Sequence, residues 1–294
     1  MTTLRGLTVL ITGAAGQLGR ELQRTAPADL GLRAFDSRTL DVTRPEVVHA
    51  VLEREHPDLV IHTAAFAAVD AAEDDAERAE AVNAAGAAHV AEAARKIGAR
   101  LIHLSTDYVF DGVQGRPYGP QDRPRPLNVY GRTKLAGERE VRRISGGTAL
   151  IMRTSWLYSS QGRNFVRRML QLLGEREEVG VVCDRVGSPT WARALAEALW
   201  AAAALELTGM HHWTDDGVAS WYDFAVAIRE EALALGVLSR AATVRPIRSE
   251  EFPAAARRPS YSVLDHRATR DALGLPVRHW RENLRLMLQE LARG

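Results

Sequence analysis

Leu7-Thr8-Val9-Leu10-Ile11-Thr12-Gly13-Ala14-Ala15-Gly16-Gln17-Leu18-Gly19 is an apolar run that stops at a glycine and restarts as a helix. Strand, glycine-rich turn and helix in that order bring backbone N–H groups and the positive end of a helix to one point, where a phosphate can sit. Glycines at 13, 16 and 19 allow a tight turn, close approach of a pyrophosphate, and close packing of helix on strand. About 20 residues past Gly16, the separation such sites use, a second apolar run, Leu32–Phe35, ends at Asp36. A carboxylate there can accept hydrogen bonds from an adenosine ribose, whereas Ser37 and Arg38 can receive a 2′-phosphate. The pattern predicts a dinucleotide, NADPH or NADH, held by Gly13, Gly16, Gln17, Leu18, Gly19, Asp36, Ser37 and Arg38, with Asp41 and Val42 just beyond.

Outward from this stretch, short apolar runs alternate with helical periods. Leu59–His62, Arg100–Ser105 and Thr148–Arg153 read as further strands, and Gln17–Thr25, Pro45–Glu55, Asp75–Ile97 and Asn128–Arg143 as helices. This alternation predicts an α/β fold: a Rossmann-type, doubly wound parallel sheet with right-handed crossovers. Ala64-Ala65-Phe66, after the third strand, would line the cofactor with small side chains. Phe110–Pro126 is rich in proline, glycine and charge and reads as a working loop. Beyond Trp156 the rhythm loosens. The expected division is residues 1–155 for the dinucleotide domain and 156–294 for a smaller substrate-binding lobe. Helices are expected at Thr190–Leu207 and Trp221–Leu235, the first packing back on the sheet, with a strand at Met210–Trp213.

The 294 residues are 46% hydrophobic and 26% charged, with a formal net charge of +1, as in a globular protein with no long-range field for nucleic acid or an anionic membrane. No run is apolar for long enough to span a bilayer. Cys183 is the only cysteine, so neither an intramolecular disulfide nor a cysteine-based zinc site can form. A soluble protein in the reducing cytoplasm is the expectation.

Among 38 basic residues only Lys96 and Lys134 are lysine. Lys134 follows Tyr130 at i+4, on one face of a helix. A free tyrosine titrates near pKa ~10, and a nearby ammonium brings a phenol toward a useful range for proton transfer. Lysine is also a compact donor for a ribose hydroxyl, where the arginine fork fits differently. Thr106, at the end of the fourth strand, is placed to donate to a carbonyl, because ligands of open parallel sheets bind beyond the carboxyl ends of strands. Tyr130, Lys134 and Thr106 are therefore the candidate catalytic residues, the first two also touching cofactor.

Ser105-Thr106-Asp107-Tyr108-Val109-Phe110 and Pro126-Leu127-Asn128-Val129-Tyr130-Gly131-Arg132-Thr133-Lys134-Leu135-Ala136-Gly137-Glu138 closely resemble the dTDP-4-dehydrorhamnose reductases, extended short-chain dehydrogenases. The likeness continues through Arg153–Tyr158, Gly162–Phe165, Gly187–Thr190, Trp221–Ala225 and Arg258-Pro259. The resemblance implies NAD(P)H-dependent reduction of the C4 ketone of dTDP-4-dehydro-L-rhamnose, the last step in making dTDP-L-rhamnose. It implies Tyr130 as the acid, Lys134 as its pKa partner, Thr106 as carbonyl orienter, Asp107 and Trp156 as substrate contacts, and Asn164 as a contact to the diphosphate. Some family members form a magnesium-bridged dimer through glutamates. Arg193 stands where such a glutamate would, so no metal is expected here, and a homodimer is left open. Arg185 and Cys183 also depart from the family pattern, which more often has a glutamine and an acid or amide there.

Related dehydratases carry Asp-Glu after the threonine, whereas Asp107 is followed here by Tyr108. Epimerase-reductases of the GDP-fucose type need a cysteine–histidine pair, and Cys183 is far along the chain from every motif. A regulatory subunit like the beta subunit of methionine adenosyltransferase uses the same fold; the retained tyrosine, lysine and threonine favour the enzyme.

Overall fold

The computed structural model describes residues 4–293. Six parallel strands form the central sheet, in the spatial order Gly31–Phe35, Thr8–Thr12, Leu59–His62, Arg100–Thr106, Leu150–Thr154, Gly209–His212. The first strand has the second on one side and the third on the other, so their crossovers leave toward opposite faces. A crevice opens where they diverge. The four inner strands are short and largely apolar because both faces are covered, whereas the edge strands Gly31–Phe35 and Gly209–His212 are only partly buried.

One face is sealed by helices Gln17–Arg24 and Ala192–Ala204, which bring Leu18, Leu22, Leu195 and Leu199 onto Val9, Ile11, Ile61 and Ile102. The other is sealed by Pro45–Glu55, Gly86–Lys96 and Val129–Ile144, whose Val48, Leu52, Val90 and Val141 meet Leu10, Val60, Leu101 and Ile151. The expected break at residue 155 is not a simple cut. Helix Ala192–Ala204 does pack back on the sheet, and Gly209–His212, expected in the smaller lobe, is the sixth strand, paired with Leu150–Arg153. Met210 packs against the apolar cluster on one face of the sheet, which is where the returning chain is held.

The expected single helix over Asp75–Ile97 is broken. Ala76–Glu80 passes into a π-helical turn, Ala81–Ala85, before Gly86–Lys96 resumes. The widened turn releases Asn83 to bond elsewhere, and π-turns often mark functional positions. The smaller lobe has its own core, where Phe165–Glu175, Trp221–Ala234 and Trp280–Arg293 gather Tyr158, Met169, Phe224, Trp280 and Leu284. Its short strand pairs are Glu178–Val182 with Thr243–Ile247 and Val186–Gly187 with Ala219–Ser220. The Phe110–Pro126 loop is held by a bridge from Tyr118 to Leu264 and by the Arg116–Asp122 ion pair.

Under the catalytic-face helix lies one fully buried ion pair. Arg153 donates to both carboxylate oxygens of Glu138 at 2.7 and 2.6 Å, with both side chains 3% exposed. Removing one partner of such a pair strands the other charge in the interior. Glu138→Ala is therefore expected to lower stability by about 3–5 kcal/mol, read by urea denaturation; an unchanged midpoint would show that Arg153 finds another partner.

Candidate active site

The turn after the first strand has no room for side chains. Gly13 sits at φ +69°, and a Cβ there would lie 2.7 Å from the Ala64 nitrogen. A Cβ on Gly19 would lie 2.5 Å from the Gly13 carbonyl oxygen. Gly16 is the N-cap of helix Gln17–Arg24 and supplies no side-chain cap, so the first N–H groups stay available to an anion. Beside this turn is a cavity of about 600 Å³, lined by Gly13, Gly16, Asp36, Ser37, Asp41, Val42, Ala64, Ala65 and Phe66. A second cavity, of about 410 Å³, shares Gly16, Thr63 and Ala65 with it and continues to Leu18, Gly19, Thr106, Asp107, Tyr130, Lys134 and Trp156. A glycine cradle without room for Cβ atoms, in the middle of a long cleft, fits an extended dinucleotide.

At the adenosine end, the Asp36 carboxylate is occupied by its own turn. It accepts from the Thr39 hydroxyl at 2.9 Å, the Thr39 N–H at 3.1 Å and the Arg38 N–H at 3.0 Å. The Thr39 hydrogen bond is the chief reason its acid strength is raised. Arg38 rests on Asp36 at 3.3 Å with its side chain 89% exposed, so the guanidinium partly neutralises the acid and is free to turn toward a 2′-phosphate.

The chemistry lies at the other end. Asn128 caps helix Val129–Ile144 by accepting from the Gly131 N–H at 2.8 Å, which starts the helix so that Tyr130 and Lys134 face the cleft. Gly131 and Gly137 let the helix lie close, since Cβ atoms there would come within 2.2 Å of the Tyr108 and Asn83 carbonyl oxygens respectively. Lys134 is buried and its Nζ donates to the Leu104 carbonyl oxygen at 2.6 Å. Burial brings its pKa down to about 8, and Glu138 opposes that shift.

Burial raises Tyr130 well above a free phenol, Thr106 offsets part of this, and Asp107 and Tyr108 add to the rise. In this arrangement the Lys134 ammonium is directed at the fourth strand, and the phenol is set chiefly by its burial. Thr106 donates to Asp107 at 3.0 Å. Asp107 is 1% exposed, and burial lifts its carboxyl to about 6. Beneath the lysine, His62 and His103 stack at 5.2 Å on adjacent strands, and burial first, then the Lys134 charge, keeps both neutral.

Trp156 lines the cleft at φ +46°, an uncommon conformation for so large a residue, and its ring stacks on Trp221 at 3.5 Å with 6° between planes. Trp221 belongs to the site and escaped singling out, although it begins the Trp221–Ala225 stretch already noted. Asn83 was also missed. Its side chain accepts from the Phe66 N–H and donates to the Phe66 carbonyl and the Thr133 hydroxyl, tying the cofactor loop to the catalytic helix. An asparagine inside a helical period carries no sequence signal for this.

Asn164 stands apart from the cleft lining. It caps helix Phe165–Glu175, and its amide donates to Gln17 at 2.9 Å and to the Ser159 carbonyl at 2.8 Å. Both N–H groups are used, so it positions Gln17 across the lobes. Arg193 pairs with Glu290 and approaches Glu21 at 3.7 Å, while Arg24 bonds Glu21 at 2.8 Å and Glu290 at 3.0 Å. These carboxylates are already matched by guanidiniums and do not fit a divalent cation.

The family model described as "RmlD substrate binding domain" matches residues 7–293. The chain belongs to this family. It is 38% identical to the dTDP-4-dehydrorhamnose reductase of Burkholderia thailandensis, over 96% of this chain and 98% of that protein. It is 40% identical to the dTDP-4-keto-6-deoxy-D-glucose reductase of Streptomyces niveus, over 92% and 93% respectively. The crystal structure of dTDP-4-dehydrorhamnose reductase from Bacillus anthracis in complex with NADP superposes with a TM-score of 0.91 at 38% identity, covering 97% of this chain and 99% of that one.

The Lys134 position has a pH consequence. Its ammonium is present below about 8 and lost above it. If the charged form is the working one, kcat/KM for the free enzyme falls as pH rises through that value. A stopped-flow profile that stays flat to pH 10 would remove the lysine from this role.

Proposed function

We propose that this protein reduces the C4 ketone of dTDP-4-dehydro-L-rhamnose to give dTDP-L-rhamnose, with NADPH or NADH as reductant. The observation that carries the reading is the meeting of Thr106, Tyr130 and Lys134 in the second cavity, where the dinucleotide cleft reaches the Trp156–Trp221 wall. A nicotinamide bound there supplies hydride. The chain's own residues do the rest.

The Thr106 hydroxyl, once turned from Asp107, and the Tyr130 hydroxyl are the donors for the carbonyl oxygen, where negative charge grows and donors are worth most. A phenol held protonated by burial keeps its proton until that charge appears, then gives it to the alkoxide, a much stronger base. The Lys134 ammonium has N–H groups beyond the one on Leu104 for a ribose hydroxyl and for the phenolate left behind. The Trp156–Trp221 wall offers an apolar face to the sugar, suited to a 6-deoxy carbon. Asp107 lies in the cleft as the remaining polar contact.

A dehydratase reading lacks its second carboxyl: Tyr108 follows Asp107, and burial lifts its phenol to about 12. Cys183 is exposed and does not line either cavity, which removes the cysteine–histidine epimerase arrangement. The Streptomyces niveus relative favours a second reading in which the sugar is dTDP-4-keto-6-deoxy-D-glucose, with the same bond made at C4. Parallel assays with both keto-sugars decide between them, and turnover of neither overturns the reductase reading.

Tyr130→Phe keeps the ring and removes the proton. Nucleotide binding is expected to survive while kcat falls by roughly 10²–10⁴; near-normal turnover would take the acid role away from Tyr130. For the cofactor, Arg38→Ala is expected to raise KM for NADPH and leave NADH nearly unchanged, because the exposed guanidinium can turn from Asp36 to the 2′-phosphate that only NADPH carries. An unchanged NADPH-to-NADH preference would place Arg38 away from the adenosine ribose.

A further inference from the structure

We propose that Ser262 is a positioning residue for the reduction: its hydroxyl takes over the Asp107 carboxylate when Thr106 turns to the substrate carbonyl. The assignment rests on the reductase reading above. In the structure the Thr106 hydroxyl is engaged elsewhere. It donates to Asp107 Oδ1 at 3.0 Å, accepts from the Tyr108 N–H at 3.2 Å, and lies beside the Tyr130 hydroxyl. The donor that the carbonyl needs is thus held by a neighbouring carboxylate and has to be released.

Release has a cost that depends on what else the carboxylate can find. Asp107 is buried, and Oδ2 has no aligned donor among the described residues. If Thr106 left with nothing to replace it, a buried carboxylate would lose its side-chain hydrogen bond at the moment the transition state forms. Ser262 faces this carboxylate from the smaller lobe and already favours its charged form. A small rotation of the serine hydroxyl completes the bond, so Asp107 changes donor and keeps its charge satisfied. No proton leaves either group.

The backbone delivers Ser262 to this place and keeps it there. Its N–H donates to the Val186 carbonyl at 2.8 Å, and the Val186 N–H donates to the Ser260 carbonyl at 2.8 Å. On the other side the Tyr118 N–H donates to the Val263 carbonyl at 2.8 Å, and Tyr118 bridges to Leu264. The segment is pinned between the strand Val186–Gly187 and the Phe110–Pro126 loop. Ser262 is 3% exposed and lines neither cavity of the cleft, so it acts through Asp107 without touching the sugar. The other groups around Asp107 are committed. Tyr130 serves the carbonyl, and the Lys134 ammonium is on the Leu104 carbonyl. The Tyr108 phenol, held protonated by burial, faces Arg258 and Arg185, and Arg258 is bound to Asp70.

Steady-state kinetics of the full-length protein with NADPH and the keto-sugar, from about pH 5 to about pH 9, test this. Burial lifts the Asp107 carboxyl to about 6, and the Ser262 hydroxyl opposes that rise. With the charged form working, kcat/KM falls as pH drops through that value. Ser262→Ala is expected to move this acid limb to higher pH, because a donor to the carboxylate is lost. At neutral pH its kcat is expected to fall roughly tenfold with KM little changed. On an Asp107→Asn background the same substitution is expected to have no further effect, since the amide carries no charge to hold. An unmoved acid limb in Ser262→Ala, or the same loss on both backgrounds, overturns the inference and leaves the reductase reading standing. Turnover of neither keto-sugar by the unaltered protein overturns both.

Discussion

The close contact between the Gly13 turn and Ala64 organises the rest. Because no Cβ fits between them, the carboxyl ends of the first and third strands can approach, and their divergent crossovers open the crevice at that place. Helix Gln17–Arg24 can then start with free N–H groups at the floor of the crevice. Ala64, Ala65 and Phe66 leave the third strand along its wall, and Asn83 locks Phe66 to Thr133 on the catalytic helix. A side chain at position 13 would therefore disturb more than phosphate binding. It would push apart the strand ends that set the distance between the glycine turn and Tyr130.

Charge is handled differently at the two ends of that crevice. At the adenosine end, Asp36 and Arg38 are near solvent and compensate each other weakly, so ligand groups can exchange with them. At the chemical end the groups are buried and strongly directed. Lys134 is held on a strand carbonyl, with neutral His62 and His103 beneath it and the Glu138–Arg153 pair behind. Burial costs the ammonium part of its basicity, and Glu138 restores some of it. The Arg153 guanidinium is 5.0 Å over the Phe110 ring, so this support reaches the start of the Phe110–Pro126 loop. An ammonium in such a place is rigid and poorly hydrated, which suits stabilising an oxygen that changes charge.

Much of this was legible in the sequence because it depends on local rules. The glycine spacing, the carboxylate about 20 residues later and the strand-helix alternation specify backbone geometry directly, and Tyr130 and Lys134 share a helix face by period alone. What escaped depends on contacts between distant segments. Asn83 works through a π-turn that no propensity announces. Trp221 meets Trp156 only after the chain has crossed the cleft. Asn164 meets Gln17 across the lobes while capping its own helix, a pairing that local sequence does not announce. The direction of the Lys134 ammonium could not be read either, since the i+4 spacing gives a shared face and not the bond the Nζ chooses.

The interleaved connection between lobes has its own physical consequence. The chain leaves the sheet after Leu150–Thr154, builds Phe165–Glu175, returns as Ala192–Ala204 and Gly209–His212, and leaves again for Trp221–Ala234. Two lobes joined by one linker can swing apart at little cost. Here separate crossings are fastened at both ends, and side-chain contacts reinforce them: Gln17 with Asn164, Asp70 with Arg258, and Glu21 and Glu290 with Arg24 and Arg193. Wide opening would break these together. One face of the cleft is made by single side chains, the Trp156–Trp221 stack. Trp156 is held there by a left-handed backbone and by the close approach of Gly187, so the stack is set by main chain on one side and by the aromatic core of Phe165 and Phe224 on the other. A sugar entering beside it meets a preformed surface, and its binding energy need not be spent on ordering that surface.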